Sequence, residues 1–217
     1  MAGKSDLVDY YDARAREYEK VYDKPERQSD LGVLRDVIPA VFAERHVLEI
    51  ACGTGYWTRR IASQAASVIA LDLAPSTLAF ARAHQPDAEN VHFQVGDAFD
   101  LMSVDGSVDA AFAGFWWSHV LRRDLGRFLT GLHAALAPGA RVVFIDNRYV
   151  EGSSTPLSRT DADGNTYQSR RLDDGTTHEV RKNFPTADEL RAAVAPFAIR
   201  SDVTLLDYFW MFDYTAR

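Results

Sequence analysis

Five short apolar runs rich in β-branched residues, separated by stretches of helical periodicity, limit this chain more than any other feature. They are His46-Val47-Leu48-Glu49-Ile50, Ser67 to Leu71, Val91 to Val95, Val108 to Phe112 and Arg141 to Ile145. Each is five residues long, which suits a strand buried on both faces rather than a helix. The intervening segments at about 56–66, 75–85 and 124–137 carry helical spacing, and the last places Leu125, Phe128, Leu129, Leu132 and Leu136 on one stripe. A β-α-β-α-β rhythm of this kind predicts an α/β fold with a mostly parallel sheet covered by helices on both sides.

Two segments break the rhythm. From Ser5 to Ala43, Tyr10, Tyr11, Tyr18 and Tyr22 recur at roughly helical intervals, and Pro25 is expected to split the stretch into two helices forming an N-terminal cap at about 5–43. The second, at about 147–185, is too long for a simple connection. Thr166 to Leu172 and Thr176 to Lys182 flank a glycine turn and read as a β-hairpin, a lid or edge extension rather than a second domain. Thr186 to Glu189 has the form of a capping box opening a helix, and Asp207 to Phe212 reads as a final strand returning to the sheet. The expectation is one domain over 1–217.

Composition excludes several classes. With 24 Lys and Arg against 31 Asp and Glu, the net charge is −7, so polyanions such as nucleic acid are repelled unless a basic patch is built locally. The single cysteine, Cys52, allows no internal disulfide and points to a reducing, cytoplasmic setting. No apolar run approaches the ~18 residues of a membrane span, and no cluster of His, Cys, Asp and Glu has metal-ligand spacing, so neither a membrane nor a metal is expected.

The most informative local pattern is Val47-Leu48-Glu49-Ile50-Ala51-Cys52-Gly53-Thr54-Gly55, a buried strand that ends acidic and runs through a small-residue turn into a helix. Small residues let backbone approach a ligand closely, and the helix N-terminus favours electron-rich groups. A dinucleotide fingerprint would place glycine at 51, 53 and 56, where this chain has Ala51, Gly53 and Tyr56. The nicotinamide reading loses on spacing. The pattern, of the E-x-A-C-G-T-G kind, resembles the first motif of the class I S-adenosylmethionine (SAM)-dependent methyltransferase family. The likeness runs from Tyr10 to the strand near Ile145 and fades in the hairpin.

The resemblance implies a Rossmann-like, doubly wound, mostly parallel sheet of seven strands, with N-terminal helices and a β-hairpin lid insertion. It implies that SAM is the cofactor, with S-adenosylhomocysteine (SAH) as product, and that Glu49, Ala51 and Gly53 line the methionine end. Asp72, with Leu73 beside it at the end of the second strand, matches the residue that holds the ribose, a task for which a carboxylate accepting two hydroxyl hydrogen bonds is well suited. Capping the helix near Pro75 is the structural alternative. Asp97 and Ala98 match the adenine-amino motif, and Gly96-Asp97 could equally be an ordinary turn.

Phe115, Trp116 and Trp117 follow the fourth strand, where similar enzymes reach both cofactor and acceptor. Consecutive residues of a strand face opposite ways, so at least one tryptophan is expected to line a pocket; aromatic walls suit a sulfonium and a planar acceptor. His119 is the candidate general base, since its ordinary pKa lies near working pH; a structural histidine at a helix start is the alternative. Arg148 and Tyr149, in the polar run after the fifth strand, are candidate acceptor contacts, with Arg148 either gripping an anion or pairing with Asp146 or solvent. Tyr11 and Tyr18 match the N-terminal helix that closes over SAM in similar enzymes, with core packing as the rival. Arg170, Arg171, Arg181 and Lys182 on the hairpin read first as a solvated edge that resists aggregation and second as a phosphate site.

The function that follows is transfer of a methyl group to nitrogen or oxygen of a small metabolite, aromatic or heterocyclic acceptors included, by in-line displacement. Its partner is a small-molecule acceptor, with no nucleic acid or membrane; the oligomeric state is not legible. The alternatives are a protein or RNA methyltransferase, or a SAM-binding regulatory subunit without chemistry.

Overall fold

The computed structural model describes Glu19 and residues 22–85, 89–101, 108–172 and 175–217. Tyr11 and Tyr18 lie outside the described residues, and with them most of the N-terminal cap. Pro25 opens a 3-10 turn, Pro25–Arg27, that leads into α1 (Gln28–Val41). A proline is favoured there because its missing N–H would have had no helical partner. The chain continues through β1 (His46–Ile50), α2 (Tyr56–Ala62), β2 (Ser67–Asp72), α3 (Pro75–Ala83), β3 (Val91–Val95) and β4 (Ala110–Gly114). Then come α4 (Leu125–Ala134), β5 (Arg141–Asn147), the three strands β6 (Leu157–Thr160), β7 (Thr166–Arg171) and β8 (Thr177–Arg181), and finally α5 (Ala187–Val194), β9 (Ala198–Leu205) and β10 (Phe209–Ala216).

Seven strands form one sheet in the order β3-β2-β1-β4-β5-β10-β9, with β1 to β5 parallel and β10 antiparallel to both neighbours. The first three strands build outward to one side of β1, and β4 and β5 build to the other. The reversal lies between β1 and β4, and in doubly wound sheets the ligand crevice opens at the carboxyl ends of the strands beside that point.

The central strands are buried on both faces. Val142 and Phe144 of β5 face a core containing Phe128, Leu129 and Leu132 of α4 together with Trp210 and Phe212 of β10. Val143 and Ile145 face the opposite core, built from Leu31, Leu34 and Ile38 of α1 and Trp57 and Ile61 of α2. Strands without a polar face can only sit in the middle of such a sheet, which orders the layers.

The insertion between β5 and α5 is a separate antiparallel sheet in the order β6-β7-β8. It pairs with neither edge of the main sheet, so the reading as an edge extension is corrected. It is fastened instead to residues 118–122: Asn183 donates its N–H to the Ser118 carbonyl at 2.9 Å and its side-chain amide to the Val120 carbonyl at 3.0 Å, and Arg122 donates its N–H to Asn165 Oδ1 at 2.9 Å. The Thr186–Glu189 capping box at the start of α5 forms as expected. Among the described residues no helix is long and apolar enough to cross a membrane, and none of their His, Cys, Asp and Glu side chains group into a metal site.

Candidate cofactor and acceptor site

The turn after β1 is held in shape by its neighbours. Ala51 and Gly53 have φ of 53° and 58°, in the left-handed region, and Gly55, at φ 79°, caps α2. Cys52 N–H reaches the Leu71 carbonyl at 2.9 Å, and Gly53 N–H reaches Asp72 Oδ2 at 2.9 Å. The turn is therefore stitched to the end of β2. A Cβ on Gly55 would lie 3.2 Å from that of Ala81, so only glycine lets α2 start this close to α3. Phe115, directly after β4, is also left-handed at φ 60°. Two of the three described non-glycine residues with left-handed φ, each costing about 1–2 kcal/mol, directly follow the adjacent strands flanking the topological reversal. Backbone strain collects at binding sites because there the surroundings, not local preference, set the shape.

Three carboxylates arrive on successive strands. Register pairs Ile50 with Leu71 and Asp72 with Val95, so Glu49, Asp72 and Asp97 come to one rim spanning two inter-strand spacings, roughly 10 Å. Asp72 accepts from Gly53 N–H and, through Oδ1, from Ala74 N–H at 2.9 Å. The residue at the N-cap of α3 is Ala74, so Asp72 organises the turns around the rim rather than capping that helix. Asp97 accepts from Phe99 N–H at 3.0 Å, and its carbonyl accepts from Asp100 N–H at 2.8 Å. The ordinary turn foreseen as an alternative is thus present, with the carboxylate inside it. Ala98 is buried beside it, and Leu73 is 37% exposed on the rim.

Glu49 is buried, and its Oε2 has no hydrogen-bond partner among the described residues. Burial, reinforced by the nearby Asp72 charge, pushes its carboxyl up to about 8. Thr58 and the Arg59 charge offset this only in part, and a further donor to Oε2 can be supplied at the rim.

The residues after β4 depart from expectation. Beyond Phe115 the chain turns through a 3-10 helix, Trp117–His119, so strand alternation no longer applies. Both tryptophans fall on the α4 side. Trp117 is buried against Phe144 (5.0 Å between centroids), Trp210 and Phe212, and its assignment to an acceptor pocket is corrected to core packing. Trp116 is half-buried between Phe99 and Phe128. Phe115 falls on the opposite side, buried in the other core at 5.8 Å from both Tyr22 and Phe209.

His119 is buried, and its carbonyl accepts from Arg181 Nη1 at 2.6 Å. Burial, aided by the charges of Lys182 and Arg170, holds its imidazole well below the usual histidine range. It is neutral at physiological pH, and a base of low pKa is a weak one. Arg148 is exposed and donates through its guanidinium to the Leu206 carbonyl on the β9–β10 turn. Of the readings left open for Arg148, the contact the structure gives is this structural one, to Leu206 rather than to Asp146. Tyr149 is 43% exposed and sets its ring edge-on to Phe184 at 5.3 Å.

Sequence reasoning named Asp146 and Lys182 but missed that they pair with each other, and it missed Arg27. Asp146 of β5 is fully buried and accepts from Lys182 Nζ at 2.6 Å, from Ser118 N–H at 3.0 Å and from Asn147 N–H at 2.8 Å. Arg27 is 5% exposed and lies over Tyr208 and Phe209 at 5.6 and 5.7 Å. The hairpin cations, expected as a solvated edge, divide between its faces. Arg170 shares a face with buried Gln168 and Val180, whereas Arg171 is exposed on the other.

A mostly parallel sheet with its order reversed beside β1, a strained small-residue turn and three acidic strand ends defines a Rossmann-like domain. A family model described as a methyltransferase domain matches residues 47–139. Among curated proteins, the biotin biosynthesis bifunctional protein BioHC of Cellvibrio japonicus is 38% identical over 101 residues, 44% of this chain and 20% of that protein. The malonyl-[acyl-carrier protein] O-methyltransferase of Methylococcus capsulatus is 34% identical over 100 residues, 45% of this chain and 36% of that protein. The chain spans less than two fifths of the length of these two relatives. Over nearly its whole length it is similar to the structure of the DhpI–SAH complex, at 29% identity and TM-score 0.79, covering 98% of this chain and 96% of that one. Residues 47–139 are thus similar to a methyltransferase domain, and the chain as a whole is similar to a solved protein that binds SAH.

Proposed function

We propose that this chain binds SAM along the rim formed by β1, β2 and β3 and transfers its methyl group to a nitrogen or oxygen of a small metabolite. The observation that carries the reading is the delivery of Glu49, Asp72 and Asp97 by adjacent parallel strands to one edge, around a turn whose left-handed Ala51 and Gly53 expose backbone. Under it, the orphaned oxygen of Glu49 meets the polar methionine end, Asp72 the ribose diol and Asp97 the adenine amino group, with Ala98 N–H beside it. Bound there, the sulfonium supplies an electrophilic methyl carbon. Phe115 walls the crevice and excludes water, and the residues beyond β5 and on the small sheet align the acceptor. In-line displacement needs alignment above all, so the weak basicity of His119 is compatible with it. The solved complex of a similar protein with SAH, at 29% identity, supports the cofactor.

A protein or RNA methyltransferase would call for an extended docking surface, which the net charge of −7 does not favour for RNA. A regulatory subunit would keep the rim and lose turnover. The single cysteine, buried in the turn, fits a cytoplasmic setting. Titration with SAH, together with a methyl-transfer assay across a metabolite panel, separates the readings: affinity with product supports the enzyme, and affinity with no product from any acceptor supports the regulatory subunit. Asp72→Ala should weaken SAH binding by about 1–3 kcal/mol, the loss of charge-assisted hydrogen bonds; an unchanged dissociation constant would remove Asp72 from the ribose site.

A further inference from the structure

The end of the crevice away from β3 has a chemistry that the cofactor does not use. Lys24 donates from Nζ to the Ser153 carbonyl at 2.9 Å, and Arg27 donates from Nη2 to Ser153 Oγ at 3.1 Å, which brings the start of α1 to the loop after β5. Arg27 rests on Phe209, Phe209 meets Phe115 at 5.8 Å, and Lys182 Nζ stands 5.9 Å from the Phe115 ring. Arg170 lies within electrostatic reach of Lys24, Arg27 and His119, and Arg181 reaches the His119 carbonyl. Five cations thus gather at this end of the sheet, two of them, Arg27 and Lys182, beside the Phe209 and Phe115 rings, against the carboxylates of Glu26, Asp30 and Asp146 among the described residues. Asp146 is bound to Lys182, and Asp30 accepts from Tyr208 N–H at 2.7 Å.

Hydrogen-bonding capacity points the same way. Arg27 Nε, Arg181 Nε and Asn147 Nδ2 are buried with no partner among the described residues. All three are donors. Asn147 is paired in register with Phe209, the ring on which Arg27 sits. Buried donors are normally matched by acceptors, and cations held at a low-dielectric floor focus a positive field even on an acidic protein.

We infer that the acceptor is a small molecule carrying an oxyanion, a carboxylate or a phosphoryl group, held by Arg27, Arg170, Arg181 and Asn147 over the Phe115–Phe209 floor. The inference rests on the methyltransferase reading, since it names the substrate class of that same crevice. The guanidinium forks match the planar or tetrahedral oxygens of such groups, and a local pocket on a chain of net charge −7 selects small anions over polyanions.

The test is NMR titration of the full chain, saturated with SAH, with acetate, with inorganic phosphate and with acetamide as the uncharged counterpart of acetate. At least one anion should bind and acetamide should not, with Asn147 and Arg181 amides among those shifted. Tighter acetate assigns a carboxylate acceptor, and tighter phosphate a phosphoryl one. Arg170→Gln and Arg27→Gln should each weaken the anion roughly ten- to hundredfold while SAH affinity holds, which also reports that each variant has folded. Acetamide binding as well as acetate, or anion affinity unchanged in both variants, overturns the inference with the cofactor reading intact. Failure of SAH itself to bind is a different result, and it overturns the reading beneath.

Discussion

Asp146→Ala is expected to lower the unfolding free energy by about 3–5 kcal/mol, among the largest single-site effects in this chain. Removing one member of a buried ion pair leaves the other charge desolvated without its counter-ion. Lys182, 3% exposed, would lose its carboxylate, and the N–H groups of Ser118 and Asn147 would lose their acceptor. The same pair ties the β6–β7–β8 sheet to β5, so the variant should also weaken acceptor use more than SAH affinity. Urea unfolding measures the first effect. Asp146→Leu combined with Lys182→Met should recover part of the lost stability, because two apolar groups need no pairing, yet should not recover turnover. A single variant as stable as the parent would show that the pair does not fasten the small sheet.

The second large effect is at Glu49, and it depends on pH. The folded carboxyl titrates near 8 against an ordinary value of 4.5. Below pH 4.5 both the folded and unfolded states hold the proton, and nothing is lost. Between 4.5 and 8 the unfolded chain releases its proton while the folded chain retains it, so stability falls as pH rises through this window. Above 8 the buried group is ionised and the loss is complete. Glu49→Gln, which carries no charge, should therefore be no more stable than the parent at pH 4 and more stable at pH 9, by on the order of 2–4 kcal/mol after the cost of a buried amide. SAH affinity should drop about tenfold or more in the same variant. Thermal unfolding of the ligand-free chain at the two pH values checks it, and equal differences at both would mean that Glu49 ionises freely in the fold. A group that destabilises the empty protein while serving the ligand is the expected trade between stability and function.

How much of this was legible beforehand follows from what each residue depends on. The ends of β1 and β3 could be read directly, because buried parallel strands are short apolar runs with sharp polar limits. β4 lies two residues later than the run Val108 to Phe112 suggested, since Val108 and Asp109 precede the ladder that begins at Ala110. β9 was missed. It is an edge strand, Ala198–Leu205, with Ile199 66% exposed and Arg200 and Asp202 along its length, so it has no clean apolar alternation. Charged edges of this kind resist unwanted pairing, and that also hides them from a search for hydrophobic strands.

The rim acids were readable because each closes a strand. The acceptor end was not, because it is assembled from distant segments. Arg27 sits 181 residues before Tyr208 and 182 before Phe209, and nothing near it in the chain distinguishes it from a solvated helix-start arginine. The buried pairing of Lys182 could have been found. In strand alternation 168, 170 and 182 share a face once Gln168 is paired with Val180, and a lysine on the buried face needs a partner. Trp117 misled because two adjacent aromatics suggest opposite faces only while the backbone stays extended, and the left-handed Phe115 ends the strand first.

The central claim is that Glu49, Asp72 and Asp97 grasp successive parts of one nucleoside-type sulfonium ligand. A crystal structure of the chain with SAH tests it most directly. The amino-acid end should lie against Glu49 and the Ala51–Gly53 turn, both ribose hydroxyls on Asp72, the adenine beside Asp97 and Ala98, and the sulfur facing Phe115. SAH found elsewhere on the molecule, or lying in the crevice with its ribose away from Asp72, would contradict the account.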